Sequence, residues 1–474
     1  MKLWAQKSGS DGRDRGALFR KRPAISGLLR PDYSQKAEPS GQSKQHGKFP
    51  AAYAGMYMIM LLIFIRPHEV MPGVFGPLPL VKIAAVVTIL VYLISKLNAG
   101  ENLITWSPEF RMMLVIGLMG LMLAPIAASP GDSINVMKDT YLTLLILFVL
   151  MTTLIDTRRR LRSFLLAMMV SGFLYSVSAM KTFLTRTGNE VERIKGWGTQ
   201  LENPNDLACV LDLLLPFSVY FLLTAKGKIR LLALITVLAT FFSVMFTFSR
   251  SGFLGLFLAI LVLVWKIGRK YRMRIVAGSA VLAVVLFVAM PGSYRHRIST
   301  IFNPQADQTN SAQERQELMK VAANLAVRRS ILGLGMGNFH IYSFHEKVAH
   351  NSFLEIAAEL GIVGLLAYLG LIFYPLLAIR RIERESLPGG SRPDRELNIM
   401  AVCFQASIMA YLIYGFFGSV QYFPYLYFLV AYMVALRRIR EAEAEVAPSE
   451  QTALVTLPGP KGVLWKQQRL RGAN

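Results

Sequence analysis

The amino-acid sequence predicts an all-α polytopic membrane protein with about 12 transmembrane helices. Apolar runs of about 17 to 25 residues, long enough to cross the hydrocarbon core as helices, recur between Phe49 and Leu436. Hydrophobic residues make up 53% of the chain and charged residues only 17%, which is unusual for a soluble globular protein. The formal net charge is +23, but the charges lie in the gaps between apolar runs rather than on one face, which argues against a nucleic-acid partner.

Twelve apolar runs are the candidate transmembrane segments. They cover about 51–66, 78–97, 110–128, 140–155, 163–183, 204–223, 231–248, 251–266, 275–290, 351–378, 398–417 and 422–436. Alternate gaps are densely basic, at 156–162, 226–230, 266–274, 380–395 and 437–440. The positive-inside rule places these gaps and both termini in the cytoplasm. In a bacterium the membrane would be the inner membrane, and the remaining gaps would face the periplasm.

Polar tails flank one predicted membrane domain at about 49–440. Residues 1–48 are rich in Ser, Gly, Lys and Arg and lack an apolar core or cleavage site, so we expect a basic, disordered cytoplasmic tail and no signal peptide. Residues 441–474 show no fold pattern and form a second predicted cytoplasmic tail. The two cysteines, Cys209 and Cys403, fall inside apolar runs, which excludes a disulfide framework and favours a packing role.

Two outer gaps, at about 184–203 and about 291–350, are long enough to carry a functional site. The second is the longest stretch outside the membrane, between predicted helices nine and ten, and we expect it to be partly helical. Its segment Ser311-Ala-Gln-Glu314 has the pattern of a capping box, so a helix of about 15 residues should follow. Four apolar residues should place one face of that helix against the membrane domain: Leu318, Val321, Ala322 and Leu325.

Arg315 shares the apolar face of this loop helix and should therefore point towards the membrane domain, where an anionic lipid headgroup would lie. Three glycines, Gly333, Gly335 and Gly337, then break the helix. They lack the Lys-Ser or Lys-Thr of a phosphate-binding loop, and no strand precedes them. A turn is the better interpretation.

Arg250 lies in a tight turn between two apolar runs on the predicted outer side. A charged residue at the membrane boundary is costly and indicates a functional role, because the positive-inside bias does not favour a basic residue there. The alternative is an interfacial arginine whose side chain extends to the headgroups.

His350 lies where the long outer loop enters the tenth predicted helix. Histidine titrates near neutral pH and can act as a general base, whereas Asn351 or Ser352 would suit a capping role. Ser352 and Glu355 form a second possible capping box. Glu355 and Glu359 lie one turn apart, and either they pair with basic loop residues or one of them orients the histidine.

His340, His345 and His350 together raise the possibility of a metal site. On a helix, side chains five residues apart point in directions that differ by about 140°. No cysteine or aspartate completes a ligand set. We therefore expect no metal there.

These motifs resemble the O-antigen ligase and O-antigen polymerase superfamily, membrane glycosyltransferases whose donors are polyprenyl-diphosphate-linked glycans. Arg250 to Leu254 has the ligase pattern Arg-x3-Leu, preceded by Thr-Phe-Ser. His350 to Gly361 has the pattern His-(Ser/Asn)-x9-Gly. Weaker agreement comes from Arg315 with the Gly-rich segment that follows it, and the resemblance is strongest from about 193 to 377.

Two shorter segments agree more loosely with the superfamily. Residues 193–205 resemble its stretch ending in Asn-Pro-Asn, and residues 65–70 resemble the start of ligase-like members from exopolysaccharide gene clusters. One departure is that Leu318 and Met319 stand where the superfamily often has an aromatic residue.

The resemblance implies an inverting glycosyl transfer on the periplasmic face that needs neither a metal nor another cofactor. His350 would be the base, and Arg250 and Arg315 would hold the diphosphate. The residues expected to help bind substrate are Arg193, Asn351, Arg297 and Arg328. The implied partners are the lipid-linked glycan donor, a lipid or glycan acceptor such as lipid A core, and the surrounding membrane lipid.

The motifs do not encode the acceptor, so three functions stay open. A ligase and a polymerase of O-antigen or exopolysaccharide differ only in what receives the glycan, and the spacing after His350 favours the ligase. A polysaccharide or lipid transporter would suit the helix count. The sequence shows neither the internal repeat nor the paired broken helices common in transporters.

Overall fold

The computed structural model describes residues 47–70, 72–75, 79–185, 193–198, 201–268, 311–386 and 392–456. Over these ranges the chain is helical and forms no strand. The helices are α1 (Pro50–Ile65), α2 (Pro67–Val70), α3 (Pro72–Phe75), α4 (Leu80–Asn98), α5 (Pro108–Leu123), α6 (Pro130–Asn135), α7 (Leu142–Leu154), α8 (Arg158–Leu184), α9 (Pro204–Thr224), α10 (Gly227–Phe246), α11 (Arg250–Ile267), α12 (Ser311–Arg328), α13 (Ser352–Glu385), α14 (Arg392–Phe417) and α15 (Pro424–Thr456). The predicted all-α class is confirmed.

Nine helices in the described ranges are long and apolar enough to cross a membrane. One of them, Pro130–Leu154, joins α6 to α7 through a π-helical turn at Val136–Tyr141. Helix α1 is apolar but shorter. The multi-pass architecture is confirmed, whereas the count of 12 stays a prediction, because the predicted span 275–290 lies outside the described residues.

The core of the bundle is formed by α9, α14 and the first half of α15. In α9 nearly every side chain from Leu207 to Leu215 is buried, and in α15 the same holds from Leu426 to Leu436. Helix α4 lies at the periphery, where Ile83, Leu90 and Ile94 are exposed. Hydrocarbon is as apolar as these side chains, so this outward face is compatible with contact to lipid.

Residues of the basic gaps form ion pairs at one end of the bundle, called here the basic end. They are Lys266–Glu383 (Nζ to Oε2, 2.5 Å), Arg437–Glu109 (Nη1 to Oε1, 2.6 Å), Arg162–Glu396 (Nη1 to Oε2, 3.3 Å) and Arg158–Glu443. The alternation of basic and other gaps along the sequence thus corresponds to two ends of the bundle. Which compartment each end faces stays a prediction.

The opposite end, called here the motif end, contains a break in α13. At Gly361 the backbone leaves the helix with φ 66° and ψ −168°, and the Ile362 N–H donates to the Ser330 carbonyl at 2.7 Å. A Cβ at Gly361 would lie 2.7 Å from Ile331 O, so only glycine fits without strain. The spacing between His350 and Gly361 is therefore the length of a cap and a short helix that ends against residues 330–331.

Local details at three helix ends differ from the expectation. Helix α12 begins at Ser311 as predicted and runs for 18 residues, but the Glu314 carboxylate pairs with Lys347. Of the two residues considered for capping α13, Asn351 is the N-cap, with Oδ1 accepting from Phe353 N at 3.1 Å, in place of the possible capping box of Ser352 and Glu355. Helix α15 continues past Arg440 to Thr456, since Glu441-Ala-Glu-Ala-Glu favours helix.

Candidate active site

Arg250 is the first residue of α11 and is half-buried at the motif end. Ser249 caps this helix, its Oγ accepting from Gly252 N at 3.1 Å. Phe248 just before it adopts a left-handed backbone with φ 53°, a conformation rarely adopted by a bulky residue. The chain therefore turns sharply between α10 and α11, and Arg250 follows that turn.

The turn that carries Arg250 is held by Arg193 through Asn205. The Arg193 guanidinium donates to Asn205 Oδ1 at 2.7 Å and to the Thr247 carbonyl at 3.0 Å. The Ser249 hydroxyl donates to the same Asn205 oxygen at 2.8 Å. Arg193 is thus close to the Arg250 turn.

The Asn-Pro-Asn segment before α9 has two structural tasks. Asn203 is the N-cap of α9, with Oδ1 accepting from Asn205 N at 2.9 Å, and Pro204 occupies the first turn, where its missing N–H costs nothing. This cap leaves the Asn205 side chain to join Arg193 and Ser249. The motif was visible in the sequence, whereas its hydrogen-bond partners were not.

The α11 start packs closely against Tyr414 of α14. A Cβ at Gly252 would lie 3.0 Å from the Tyr414 hydroxyl, and a Cβ at Gly255 would lie 2.9 Å from its ring. The Tyr414 hydroxyl donates to Asp212 of α9 at 3.1 Å. Small residues let three helices approach one another here, as in many membrane bundles.

His350 lies directly before the cap of α13. Its backbone is left-handed, with φ 53°, and its N–H donates to Ser419 Oγ at 3.1 Å. Asn351 Nδ2 donates to the Phe416 carbonyl at 3.1 Å, and the Ser352 hydroxyl donates to the Gly418 carbonyl at 2.8 Å. The start of α13 is therefore fastened to the end of α14.

Arg250 and His350 consequently belong to the same end of the bundle. Tyr414 packs on the α11 start, and Phe416 to Ser419 hold the α13 start, so one short segment contacts both motifs. The prediction that the two residues share a side rested on a count of crossings. The described contacts place them at one end independently of that count.

Helix α12 places the Arg315 charge close enough to His350 to affect its pKa. Leu318 and Ala322 are fully buried, and Ala322 belongs to a cluster with Leu334, Phe339, Ala349 and Ala358 against which Val321 and Leu325 pack, so the predicted packing of this apolar face is confirmed. The pKa of His350 is lowered to about 4, first by burial and then by the Arg315 guanidinium. Glu314 acts in the opposite direction, and Lys347 lowers the pKa further.

The Gly-rich segment forms the predicted turn against the short first part of α13. Leu334 N donates to Ala358 O and Gly335 N donates to Glu359 O, both at 2.9 Å. A Cβ at Gly333 would lie 2.1 Å from Glu359 O, so a side chain there would separate the two segments. The glycines allow this close backbone approach.

The other three residues predicted to bind substrate are Asn351, Arg328 and Arg297, of which the structure describes the first two. Asn351 is buried, and its side chain is engaged in capping and in the bond to Phe416. Arg328 is exposed in the last turn of α12, about 20 Å along the helix axis from Arg315. Arg297 lies outside the described residues.

Sequence reasoning missed the partners of the two carboxylates in α13. Glu355 accepts from Ala349 N at 2.9 Å, from Gln421 Nε2 at 2.7 Å and from the Ser419 hydroxyl. Glu359 accepts from the Tyr422 hydroxyl at 2.9 Å. These donors are neutral and not the basic loop residues considered as one alternative. The available hint was the run of polar residues between the last two apolar segments.

Part of the chain matches a known protein family. Residues 232–369 match the O-antigen ligase family. This region is therefore similar to O-antigen ligases, and it spans less than a third of the chain. Arg250, Arg315 and His350 all fall inside the matched range, whereas Arg193 and Ser419 lie outside it.

The chain is also similar to the teichuronic acid biosynthesis protein TuaE of Bacillus subtilis (strain 168). The two are 25% identical over 206 residues, which cover 40% of this chain and 42% of that protein. The match thus spans less than half of the relative.

The candidate site combines an imidazole with two guanidinium groups. Because the pKa of His350 is near 4, its imidazole is neutral at physiological pH and can accept a proton. Arg250 and Arg315 supply planar guanidinium groups, which bind phosphate oxygens in pairs and stay charged in a low-dielectric setting. Both kinds of group lie at one end of a membrane bundle.

Proposed function

We propose that this protein transfers a glycan from a polyprenyl diphosphate to a hydroxyl of lipid A core or a similar acceptor, as an O-antigen ligase. The proposal is carried by the observation that the motifs of Arg250 and His350 both contact one short segment, residues 414–419, while the Arg315 charge acts on the His350 imidazole. The positive-inside pattern assigns this end to the periplasmic face of a bacterial inner membrane. Both termini would then be cytoplasmic.

The reaction is a single displacement at the anomeric carbon of the donor sugar. His350 accepts the proton of the acceptor hydroxyl as its oxygen bonds to that carbon. The bond from the carbon to the phosphate oxygen breaks, and its electron pair leaves with the diphosphate. Attack opposite the leaving group inverts the anomeric configuration. The proton on His350 is then released to solvent or to the diphosphate product.

Arg250 and Arg315 would stabilise the leaving diphosphate. Negative charge grows on the bridging phosphate oxygen as the bond breaks, and preorganised cations lower the energy of that state more than that of the ground state. Removal of one such preorganised donor commonly costs about 100- to 1000-fold in rate. The contacts of Arg193 to Asn205 and Thr247 support a role in holding the turn of Arg250.

The pKa of His350 should depend on whether the donor is bound. Burial and the Arg315 charge keep the imidazole neutral in the empty site. A bound diphosphate would offset the charge of Arg315 and favour the protonated imidazole, because an opposite charge nearby raises a histidine pKa. His350 would therefore become a stronger base when the donor is present.

The test uses purified full-length protein, lipid-linked glycan extracted from a strain lacking this protein, and lipid A core. His350→Ala should lower product formation by at least about 100-fold while binding of undecaprenyl diphosphate is retained. Wild-type turnover by His350→Ala would refute the base assignment. Arg250→Lys should also lose activity, since lysine cannot bind phosphate with a two-pronged contact. A headgroup-facing arginine would tolerate lysine.

A second candidate is a polymerase that joins lipid-linked repeat units of O-antigen or exopolysaccharide. The similarity to a protein named for teichuronic acid biosynthesis favours it, since the acceptor would then be a glycan rather than lipid A core. The product that accumulates in a deletion strain separates the two. Free core lipid alongside complete lipid-linked polymer indicates a ligase, and single lipid-linked repeat units indicate a polymerase.

A further inference from the structure

Glu355 is the centre of a hydrogen-bond cluster behind His350. Its side chain is buried in the short first part of α13. Oε2 accepts from Ala349 N at 2.9 Å and from the Ser419 hydroxyl, and Oε1 accepts from Gln421 Nε2 at 2.7 Å. One carboxylate therefore joins the residue before His350 to the segment that follows α14.

Ser419 continues this cluster to His350 itself. The Ser419 hydroxyl donates to Glu355 and accepts from the His350 backbone N–H at 3.1 Å. Glu355 thus fixes the backbone on both sides of the Ala349–His350 peptide bond, on one side directly and on the other through Ser419. The imidazole itself takes no part in these contacts.

The backbone of His350 needs such support. A φ of 53° in a non-glycine residue is costly and persists only where surrounding contacts impose it. Such residues cluster at functional sites, where the strained backbone sets the direction of a side chain. Here the backbone bonds to Ser419 and Glu355, together with the Asn351 cap, impose it.

We propose that Glu355 and Ser419 are positioning residues that hold His350 in the left-handed conformation required to present its imidazole to the acceptor hydroxyl. The proposal rests on the proposed function, in which His350 is the base. It assigns the polar segment after α14, outside the matched ligase domain, a part in the reaction. The action is geometric: loss of the cluster lets the backbone relax and moves the imidazole away from the attacking oxygen.

The geometric action predicts which Glu355 variants retain activity. Glu355→Gln keeps the length and one oxygen for Ala349 and Ser419. Its amide would face Gln421, whose Oε1 has no hydrogen-bond partner in the part of the chain that the structure describes and could accept after rotation of the amide. Glu355→Asp keeps the charge but is one methylene shorter and cannot reach all three donors. Glutamine should therefore substitute better than aspartate.

The decisive experiment compares Ser419→Ala and Ser419→Thr in the full-length protein, with kcat measured by glycan transfer and affinity measured with undecaprenyl diphosphate. Ser419→Ala should lower kcat about 10- to 100-fold, the loss that a displacement of about 1 Å can cause, with unchanged affinity. Ser419→Thr retains the hydroxyl and should restore most of the rate. Ser163→Ala, which removes a hydroxyl bonded to the Arg159 carbonyl at the basic end, is the matched control.

Three results would overturn the positioning role: wild-type kcat in Ser419→Ala, an equal loss of kcat and donor affinity, or an active Glu355→Asp beside an inactive Glu355→Gln. The midpoint of thermal unfolding, measured for every variant, identifies any variant that fails to fold. If Ser419→Ala fails to fold, Ser419→Thr still tests the proposal. An active His350→Ala would instead refute the proposed function. The two failures are therefore distinguishable.

Discussion

The Arg193 guanidinium and the Ser249 hydroxyl donate to the same oxygen, Asn205 Oδ1, at 2.7 Å and 2.8 Å. One amide oxygen thus joins the outer loop before α9 to the turn at the start of α11. Since Arg250 follows Ser249 directly, the direction of its side chain depends on this junction.

Asn205→Ala should weaken donor binding without unfolding the protein. Hydrogen bonds to a charged group contribute about 1.5 to 3 kcal/mol, so their loss at this junction corresponds to about a 10- to 100-fold weaker affinity for undecaprenyl diphosphate. Titration of the purified variant measures it. Glu202→Ala, an exposed change in the same turn, should bind like wild type. Wild-type affinity of Asn205→Ala would show that the junction does not position Arg250.

In the pH profile of kcat/KM, activity should fall on the acid side near pH 4, well below the ordinary histidine pKa of about 6.5. A lowered pKa keeps the base neutral to lower pH, so activity persists as pH falls and is lost only as His350 is protonated. Arg315→Gln removes a positive charge that disfavours the protonated imidazole of His350. In the residual activity of this variant, the acid side of the pH profile should therefore shift to higher pH. An acid side that stays in place would mean that Arg315 does not act on His350.

Gly361→Ala should destabilise the protein by about 1 to 3 kcal/mol. Its positive φ and the carbonyl oxygens of Ser330 and Ile331 within 2.8 Å leave no room for Cβ. Gly370→Ala, in the regular part of the same helix, is the control, because the atoms nearest to its Cβ belong to the flexible Met112 side chain. The midpoints of thermal unfolding in detergent are compared for the two variants and the wild type. Equal midpoints would contradict the tight contact at Gly361.

Thiol labelling checks the assignment of the motif end to the periplasm. Gln316 of α12 and Lys228 of α10 are exposed, and the natural Cys209 and Cys403 are fully buried, so background labelling should be low. A membrane-impermeant maleimide should label Gln316→Cys in intact spheroplasts and Lys228→Cys only after permeabilisation. The reverse pattern would place the site in the cytoplasm and exclude the proposed reaction.

The positions of several membrane helices could be predicted closely. The expected run 204–223 is Pro204–Thr224 in the structure, and the expected run 251–266 is Arg250–Ile267. Helix length in a bilayer is set by hydrocarbon thickness and hydropathy, which are properties of the local sequence. Arg250, Arg315 and His350 were also chosen from the sequence as candidate site residues, because each is a costly or reactive residue at the edge of an apolar or amphipathic segment.

The internal break of α13 could not be located from hydropathy. The run from Ser352 to Glu385 is apolar on both sides of Gly361, and glycine is common inside membrane helices. What ends the helix there is the backbone of residues 330–331, which arrives from another part of the chain. The same holds for Gly333, whose need for a bare Cα comes from Glu359.

By itself the sequence determined the helical, multi-pass fold, the alternation of its basic gaps and the choice of His350, Arg250 and Arg315 as candidate site residues, since each depends on local composition or on a short motif. Only the tertiary structure decided that Tyr414 to Ser419 would unite the two motifs and that Glu355 would bind Ser419, 64 residues away. A hydrogen bond forms only when donor and acceptor come within about 3 Å. For residues so distant in the chain, helix packing alone selects the partner.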